Sequence, residues 1–518
     1  MANKSLFASY IGKLLPKANA KNRHGAPAYE LSPRHRLAQL AATGTLNATF
    51  YADAKEQLDA ILALAREADA TFIAKTAVYA RRKGAMKDMP ALLVALLSTM
   101  ATDLFAPAFV RTIDNGRMLR TFVQIMRSGA VGRKSLGTRP KRMIQAWLEQ
   151  ASEAELMRAA VGADPSLADV VKMVHPRPAD AGRRAFYAWL IGKPYDVAAL
   201  PPLVTAFEAF KRDPSLEVPE VPFQMLTSLP LTAAHWAAIA ERGGWQMLRM
   251  NIATFARHGV FERPGMVERI ARRLADPAEI RRARALPYQL MAAHAMVAGT
   301  APEPIVAALQ DALEIALANV PKVKGRVVVC PDVSGSMRSP VTGYRRGSTT
   351  AVRCVDVAAL VAAAFLRANP DTEVLPFEND VIKLRLDPRD TVTTNAAKLA
   401  AIGGGGTNCS APLEMLVKRH ARVDLVVFVS DNESWVDAAE ARGSTALMQA
   451  WTRLKSYNKD AKLVCIDLQP NATTQAVDRP DILNVGGFSD AVFETIGAFM
   501  EGRSAADHWV REIEATKL

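Results

Sequence analysis

Five side chains with oxygen donors follow predicted apolar strands or a glycine run, where they could bind a hard metal ion. Asp332, Ser334 and Ser336 follow one apolar run in the pattern Asp-x-Ser-x-Ser. Thr407 comes after four consecutive glycines, and Asp431 ends another apolar run. Mg²⁺ prefers oxygen ligands in near-octahedral geometry, with one or two carboxylates and several waters. We therefore predict a Mg²⁺ site formed by these five residues.

The glycine run at 403–406 supports this prediction, because glycine accepts positive φ and allows close approach of the backbone. It could bring Thr407 over the ends of the strands. An alternative interpretation is that Asp332, Ser334 and Ser336 are turn and helix-capping residues, positions that Asp and Ser favour. That alternative does not require donors after later apolar segments, so we favour the metal site.

The elements that must position these donors alternate between strands and helices over residues 325–518. Apolar runs predict strands at 326–331, 373–377, 425–429 and 462–467, and helical spacing predicts helices at 355–366, 447–454 and 491–500. This alternation is typical of a mostly parallel, doubly wound α/β sheet. Such sheets bind ligands at the carboxyl ends of their strands. Asp332 and Asp431 would both lie there.

The five donors resemble the metal-ion-dependent adhesion site of von Willebrand factor A domains. The resemblance implies that residues 325–518 form such a domain and that Asp332, Ser334, Ser336, Thr407 and Asp431 coordinate its metal.

Residues 1–320 are predicted to be nearly all helix. Apolar residues recur at helical spacing in windows that include 57–64, 72–79, 90–100, 119–126, 186–190, 236–239, 244–255 and 305–318. Short helices joined by short turns favour stacked helix pairs over a single bundle.

Charge divides the chain in a similar way. Residues 1–324 hold 43 Lys and Arg against 28 Asp and Glu, whereas residues 325–518 hold 22 against 24. Nine cations between Arg111 and Arg142 face a single acid, Asp114. They repel one another unless a polyanion such as a phosphate backbone neutralises them. A second cluster, between Arg269 and Arg284, is interspersed with acids and is consistent with a solvated helix face.

Several segments, taken together, are similar to the Ro ribonucleoprotein family, whose helical part is called the TROVE module. They are Gly-Thr-Arg-Pro-Lys-Arg-Met-Ile-Gln-Ala-Trp at 137–147, residues 167–178 with His-Pro-Arg-Pro, and, in part, the early segment with Gly44-Thr45 and Phe50-Tyr51. The order of a basic helical module and an adhesion-site domain is that of the family too.

The resemblance implies a HEAT-like helical ring at 1–320 whose ends are joined by the von Willebrand factor A domain. It implies that the hole takes single-stranded 3′ ends of misfolded RNA and that the outer surface holds a Y-like small structured RNA. We expect a non-catalytic scaffold for RNA quality control, with an exoribonuclease partner suggested by bacterial members. Residues expected to contact RNA are Arg133, Lys134, Arg139, Lys141, Arg142, His175 and Arg177.

Two other functions remain open at this point. The chain could be an adaptor whose metal accepts a carboxylate from a protein partner. A metal-dependent hydrolase is disfavoured, because no general base is paired with Asp332 or Asp431.

No apolar stretch reaches the length of a membrane span, and the four cysteines form no CxxC pair. We therefore expect reduced thiols, a cytoplasmic location and no membrane partner.

Overall fold

A computed structural model describes residues 15–344, 352–440, 443–487, 490–502 and 508–518. The chain divides into two compact units. The helical unit contains residues 69–283 and 293–309, together with the last three residues of the chain. The sheet unit contains the chain up to residue 68, residues 284–292 and residues 310–515. The sheet unit thus includes a segment that precedes the helical unit in sequence.

That preceding segment contributes two short strands and two helices. They are β1 (Ala20–Lys21), β2 (Pro27–Glu30), α1 (Pro33–Thr43) and α2 (Ala54–Glu67). Ser32 caps α1 by accepting the N–H of His35, and Asp53 and Glu56 form a capping box on α2. Such caps satisfy main-chain donors that have no partner inside the helix. The cap at Asp53 ends the segment 44–53 that connects the two helices.

The helical unit is built from short helices joined by turns, as the apolar spacing predicts. Its helices are α3 (Ala70–Arg82), α4 (Asp88–Leu97), α5 (Phe105–Thr112), α6 (Gly116–Ser128), α7 (Thr138–Gln150), α8 (Glu153–Ala160), α9 (Leu167–Val174), α10 (Ala181–Leu190), α11 (Pro202–Arg212), α12 (Ala233–Arg242), α13 (Trp245–Met250), α14 (Ile252–Arg257), α15 (Met266–Leu274) and α16 (Pro277–Ala283). Helices α17 (Pro287–Val297) and α18 (Glu303–Ala316) follow.

Aromatic packing and side-chain caps position the helices that carry the basic residues. Phe105, Phe109 and Phe122 are buried together, with ring centroids 5.2 to 6.3 Å apart. Ser152 begins α8 and Ser166 begins α9, each through a capping box. Helix α9 packs against both α6 and α7. The end of α9 is therefore held beside α7, where the Gln145 side chain bonds to the Val174 carbonyl.

The second half of the chain forms the predicted parallel α/β domain. Its elements are β3 (Val327–Pro331), α19 (Cys354–Ala368), β4 (Glu373–Val374), α20 (Val392–Ala400), α21 (Ala411–Lys418), β5 (Leu425–Ser430), α22 (Ala446–Lys455), β6 (Lys462–Asp467), β7 (Thr473–Thr474), β8 (Ile482–Gly486), α23 (Asp490–Met500) and α24 (His508–Glu514). The sheet order is β4-β3-β5-β6-β8, and all four pairings are parallel. The predicted fold class is confirmed, although the sequence analysis did not predict β7, β8, α20, α21 or α24.

The register of the central strands places the candidate donors at one edge. Val327 pairs with Leu425 and Pro331 with Val429, so β3 and β5 end side by side. Every residue of these two strands is buried. Residues that directly follow them therefore emerge next to each other at the carboxyl edge of the sheet.

A small antiparallel sheet, in the order β1-β2-β7, joins the first two strands to β7 of the α/β domain. Strand β2 pairs with β7, with Tyr29 opposite Thr474. The four cysteines are buried and form no disulfide. Within the described residues, no helix is both long enough and apolar enough to cross a membrane.

Candidate functional sites

The loop after β3 gathers three oxygen donors in a buried position. The Oδ1 atom of Asp332 accepts the main-chain N–H of Ser334 at 2.8 Å, and its Oδ2 accepts the Ser430 hydroxyl at 2.6 Å. The hydroxyls of Ser334 and Ser336 lie 3.3 Å apart. Asp332 and Ser334 are thus in contact, as are Ser334 and Ser336, so the three donors of the loop lie close together.

Asp431 supplies a second carboxylate from the end of β5. Its Oδ1 accepts the main-chain N–H of Glu433 at 3.3 Å. Burial raises the pKa of Asp431, and a hydrogen bond from the Ser336 side chain opposes that rise. Burial, reinforced by the negative charge of Asp431, raises the pKa of Asp332 to about 7. The two carboxylates are therefore close enough to repel each other.

Thr407 joins the site from the glycine-rich loop. The main-chain N–H of Gly335 donates to the carbonyl of Gly405 at 2.9 Å, which holds the glycine run against the loop after β3. The carbonyl of Thr407 accepts the N–H of Trp435 at 3.1 Å, so Thr407 also contacts the loop after β5. Its side chain is buried.

The donor set fits a hard divalent cation. It consists of two carboxylates and three hydroxyls, the oxygen ligands that Mg²⁺ prefers. Two like charges in a buried site disfavour each other's ionised form, and a cation would relieve that repulsion. Among the described residues, no group of three or more His, Cys, Asp or Glu side chains is arranged to hold a metal ion. A metal bound here would therefore depend on the hydroxyls as well as the carboxylates.

The sequence analysis missed the residues that cover this site from the beginning of the chain. The Tyr51 hydroxyl donates to Oδ2 of Asp431 at 3.3 Å, across 380 positions. Burial and the charge of Asp431 raise the pKa of Tyr51 well above its ordinary value. The main-chain N–H of Arg23 donates to Oε2 of Glu433 at 2.8 Å, and burial raises the pKa of Glu433 to about 7. The similarity of Phe50-Tyr51 to a family segment was a signal, but it did not indicate this contact.

In the helical unit, three of the predicted RNA contacts line one cleft. Lys141, His175 and Arg177 line a cleft of about 700 Å³ between α7 and the end of α9. His175 ends α9 with φ of 49°, and its N–H donates to the Val171 carbonyl at 2.9 Å. This left-handed residue turns the chain, so that Arg177 comes back to the same cleft.

A second cleft adjoins the first, because Lys141 and Gln145 line both. It has a volume of about 530 Å³ and is also lined by Arg127, Arg142 and Thr138. No side chain caps the start of α7. The first main-chain N–H groups of a helix and its dipole attract anions. We refer to the two clefts together as the basic groove.

The remaining predicted contacts lie outside this groove. Arg133 donates from Nη2 to the Leu136 carbonyl at 2.7 Å, and Arg139 donates to the Thr102 carbonyl at 2.6 Å. Lys134 is exposed on the same loop and lines neither cleft. Arg133 and Arg139 thus bond to their own chain, a role that residue type alone does not reveal.

The second basic cluster is paired with acids. Arg269 lies 3.1 Å from Glu241, and Arg273 and Arg282 both approach Glu279. By contrast, the side chains of Lys141, Arg142 and Arg177 make no hydrogen bond or ion pair within the described part of the chain, although Glu149 lines the same cleft as Lys141 and Arg177. Positive charge without an ion-pair partner is therefore found in the first cluster, whereas acids pair with Arg269, Arg273 and Arg282 in the second.

The fold and the site together define a class of protein, namely a many-helix region followed by a von Willebrand factor A domain with an adhesion-type set of donors. Residues 326–500 match the model of the Ro60 von Willebrand factor A domain. The chain is thus similar to the Ro60 family, and the similarity to its domain model lies in the von Willebrand factor A domain.

One relative is similar to this chain over most of its length, and another over about half of it. The chain is 27% identical over 525 residues to the RNA-binding protein RO60 of Deinococcus radiodurans, covering 94% of this chain and 96% of the relative. It is 25% identical over 250 residues to the RNA-binding protein RO60 of Caenorhabditis elegans, covering 46% of this chain and 37% of the relative. The crystal structure of the Deinococcus radiodurans RO (RSR) protein has the same fold, with a TM-score of 0.63, 24% identity, and coverage of 91% of this chain and 100% of that one.

Proposed function

We propose that this protein binds RNA through the basic groove of its helical unit. The supporting observation is the convergence of Lys141, His175 and Arg177 on one cleft, with Arg142 in the adjoining cleft. Cations without an ion-pair partner bind phosphates largely irrespective of base sequence. Two relatives named as RNA-binding proteins are consistent with this proposal.

The proposed ligands are a Y-like small structured RNA and the single-stranded ends of misfolded or decaying RNA. Lys141, Arg142 and Arg177 can bind the phosphates of either ligand, because both carry the same backbone charge. In this proposal the protein is a scaffold that presents RNA to another factor, such as an exoribonuclease, and does not cleave it.

The RNA proposal is tested by fluorescence anisotropy with a hairpin that carries a single-stranded tail, at several salt concentrations. The double variant Lys141→Ala with Arg142→Ala should weaken binding. It should also make the slope of log K against log salt shallower by about 1.4, since each single-strand phosphate contact contributes about 0.7. Arg269→Ala with Arg282→Ala is the matched control, because these arginines are already paired with acids. Equal affinities for the two double variants would overturn the proposal.

We further propose that Asp332, Ser334, Ser336, Thr407 and Asp431 bind Mg²⁺. When bound, the ion would supply a positive charge and an open ligand position; the residues themselves hold the donors in place. A ligand that binds only the folded state stabilises it by about 2.7 kcal/mol at 100 times its Kd. Mg²⁺ should therefore raise the Tm of the wild-type protein, and this shift should disappear in Asp332→Ala. A wild-type Tm that is insensitive to Mg²⁺ and Mn²⁺ would refute the metal site.

A second candidate function is an adaptor that binds a carboxylate of a protein partner at this metal. Trp435 favours it, since this residue is 44% exposed and its main chain bonds to Thr407.

Copurifying nucleic acid, seen as a high ratio of absorbance at 260 to 280 nm, would favour the RNA function. Nuclease assays with Mg²⁺, with Asp332→Ala as control, test the proposed lack of catalysis.

A further inference from the structure

Asn22 and Arg23, in the first described segment, are anchored to the loops around the candidate metal site. The Asn22 side chain donates to the Ser434 carbonyl at 2.5 Å, and the Arg23 N–H donates to Glu433. Strand β2 adds main-chain pairing with β7. We call residues 18–53 the amino-terminal cover. Because these contacts are separated by some 410 positions, they form only when the sheet unit is folded.

Tyr51 is the residue of the cover that reaches a proposed metal ligand. Its hydroxyl donates to Oδ2 of Asp431, and its ring is held by Phe50, with centroids 4.9 Å apart, and by His24, with centroids 5.7 Å apart. His24 in turn lies 5.6 Å from the ring of Trp435, in the loop after β5. Aromatic contacts on two sides therefore limit the directions in which the Tyr51 hydroxyl can point.

The Asp431 carboxylate is oriented by donors of two origins: Ser336 and the N–H of Glu433 in the loops after β3 and β5, and Tyr51 in the cover. Oδ1 accepts the N–H of Glu433 from its own loop, whereas Oδ2 accepts the hydroxyl of Tyr51 from the cover. Each carboxylate oxygen has two lone pairs, so an oxygen that accepts one hydrogen bond can still bind a metal. Hydrogen-bond partners of this kind orient metal ligands, and losing one typically weakens metal binding by about 10- to 100-fold.

We propose that Tyr51 positions Asp431 for the divalent cation, so that the amino-terminal cover contributes a positioning residue to the metal site. This inference rests on the metal site proposed above. If packing of the cover against the sheet unit raises the affinity for the cation, the cation must favour that packing by the same factor. Coupling between two equilibria is reciprocal. Metal binding would then be read out at the beginning of the chain.

The test measures Mn²⁺ affinity of the full-length protein by isothermal titration calorimetry, with Mg²⁺ as competitor. Tyr51→Phe removes the hydroxyl and keeps the ring, and we expect a loss of affinity of about 10- to 100-fold. Tyr29→Phe is the matched control. The Tyr29 hydroxyl bonds to Pro16 and Ser444 rather than to Asp431. The Mn²⁺ affinity of Tyr29→Phe should therefore equal that of the wild type.

Hydrogen exchange of residues 18–53 supplies a second readout. We expect Mn²⁺ to slow exchange of the cover in the wild type and to have a weaker effect in Tyr51→Phe. Wild-type binding with equal Mn²⁺ affinity in Tyr51→Phe would overturn the role of Tyr51. An equal loss in Tyr29→Phe would also overturn it, because seating of the cover rather than the Tyr51 hydroxyl would then control affinity. If the wild type binds no Mn²⁺, the proposed metal site itself fails.

Discussion

Gln145 donates a hydrogen bond from Nε2 to the main-chain carbonyl of Val174 at 2.6 Å. This bond links α7 to the last residue of α9, where helix carbonyls lack partners inside the helix. His175 follows directly, so its position in the basic groove depends on this link.

Replacing Gln145 with Leu should therefore affect both stability and RNA binding. The hydrogen bond is partly buried, and its loss should lower the free energy of unfolding by about 0.5–1.5 kcal/mol. RNA affinity should fall too, because His175 and Arg177 lose a fixed position. Urea denaturation and anisotropy measure the two effects. Gln150→Leu, at the exposed end of the same helix, should change neither quantity, and a similar response of the two variants would contradict this explanation.

Arg133 and Arg142 should behave differently despite lying in one basic segment. Arg133 donates to Leu136, so Arg133→Ala should lower the free energy of unfolding by about 1 kcal/mol. Arg142 is exposed in the groove, and Arg142→Ala should leave the Tm unchanged while weakening RNA binding. Thermal melts and salt titrations of both variants check this contrast. It fails if Arg142→Ala is the less stable of the two.

Gly403 should tolerate no side chain. Its φ is +105°, and a Cβ atom there would lie 1.8 Å from the main-chain carbonyl oxygen of Val333, next to Asp332. Gly403→Ala should thus cost more than the roughly 1–3 kcal/mol expected for backbone strain alone, and it should weaken Mn²⁺ binding. Gly443→Ala is the control, since Gly443 has φ of +75° but no atom within 4 Å of its added Cβ. Equal losses of stability in urea would contradict the steric argument.

Asp481 should make part of the stability of the sheet unit dependent on pH. Burial alone would raise its pKa, but hydrogen bonds from Arg479 and Trp451 outweigh burial and lower the pKa below its ordinary value of 3.8. A group with a lowered folded pKa stabilises the fold above its unfolded pKa, and this contribution disappears as pH falls through the folded pKa.

The stability difference between wild type and Asp481→Asn should consequently be largest near neutral pH and should shrink below about pH 4, where the unfolded carboxylate protonates. Urea titrations at pH 7, 4 and 3 measure it. Asp371→Asn, at an exposed residue, should show little difference at any of these pH values. A difference for Asp481→Asn that grows on acidification would have the wrong sign.

The sheet and the donor loops were predictable because their signals are local. Strand β6 has the predicted bounds, 462–467, and β3 and β5 differ from prediction by one residue. Apolar runs and turn residues act over a few positions, which short windows of sequence capture. Strand β8 was missed, since Asn484 interrupts its apolar run; this buried side chain is satisfied by the carbonyl of Ala476 and by Asp478.

By itself, the sequence determined the order of a basic helical region and an α/β domain, and the five oxygen donors of the candidate metal site. Tertiary structure decided which of the basic residues share a groove, and it turned Arg133 and Arg139 towards their own chain. It also brought Tyr51 to Asp431. Side-chain type and spacing specify local chemistry, whereas a contact between residues 380 positions apart arises only from packing of the folded chain.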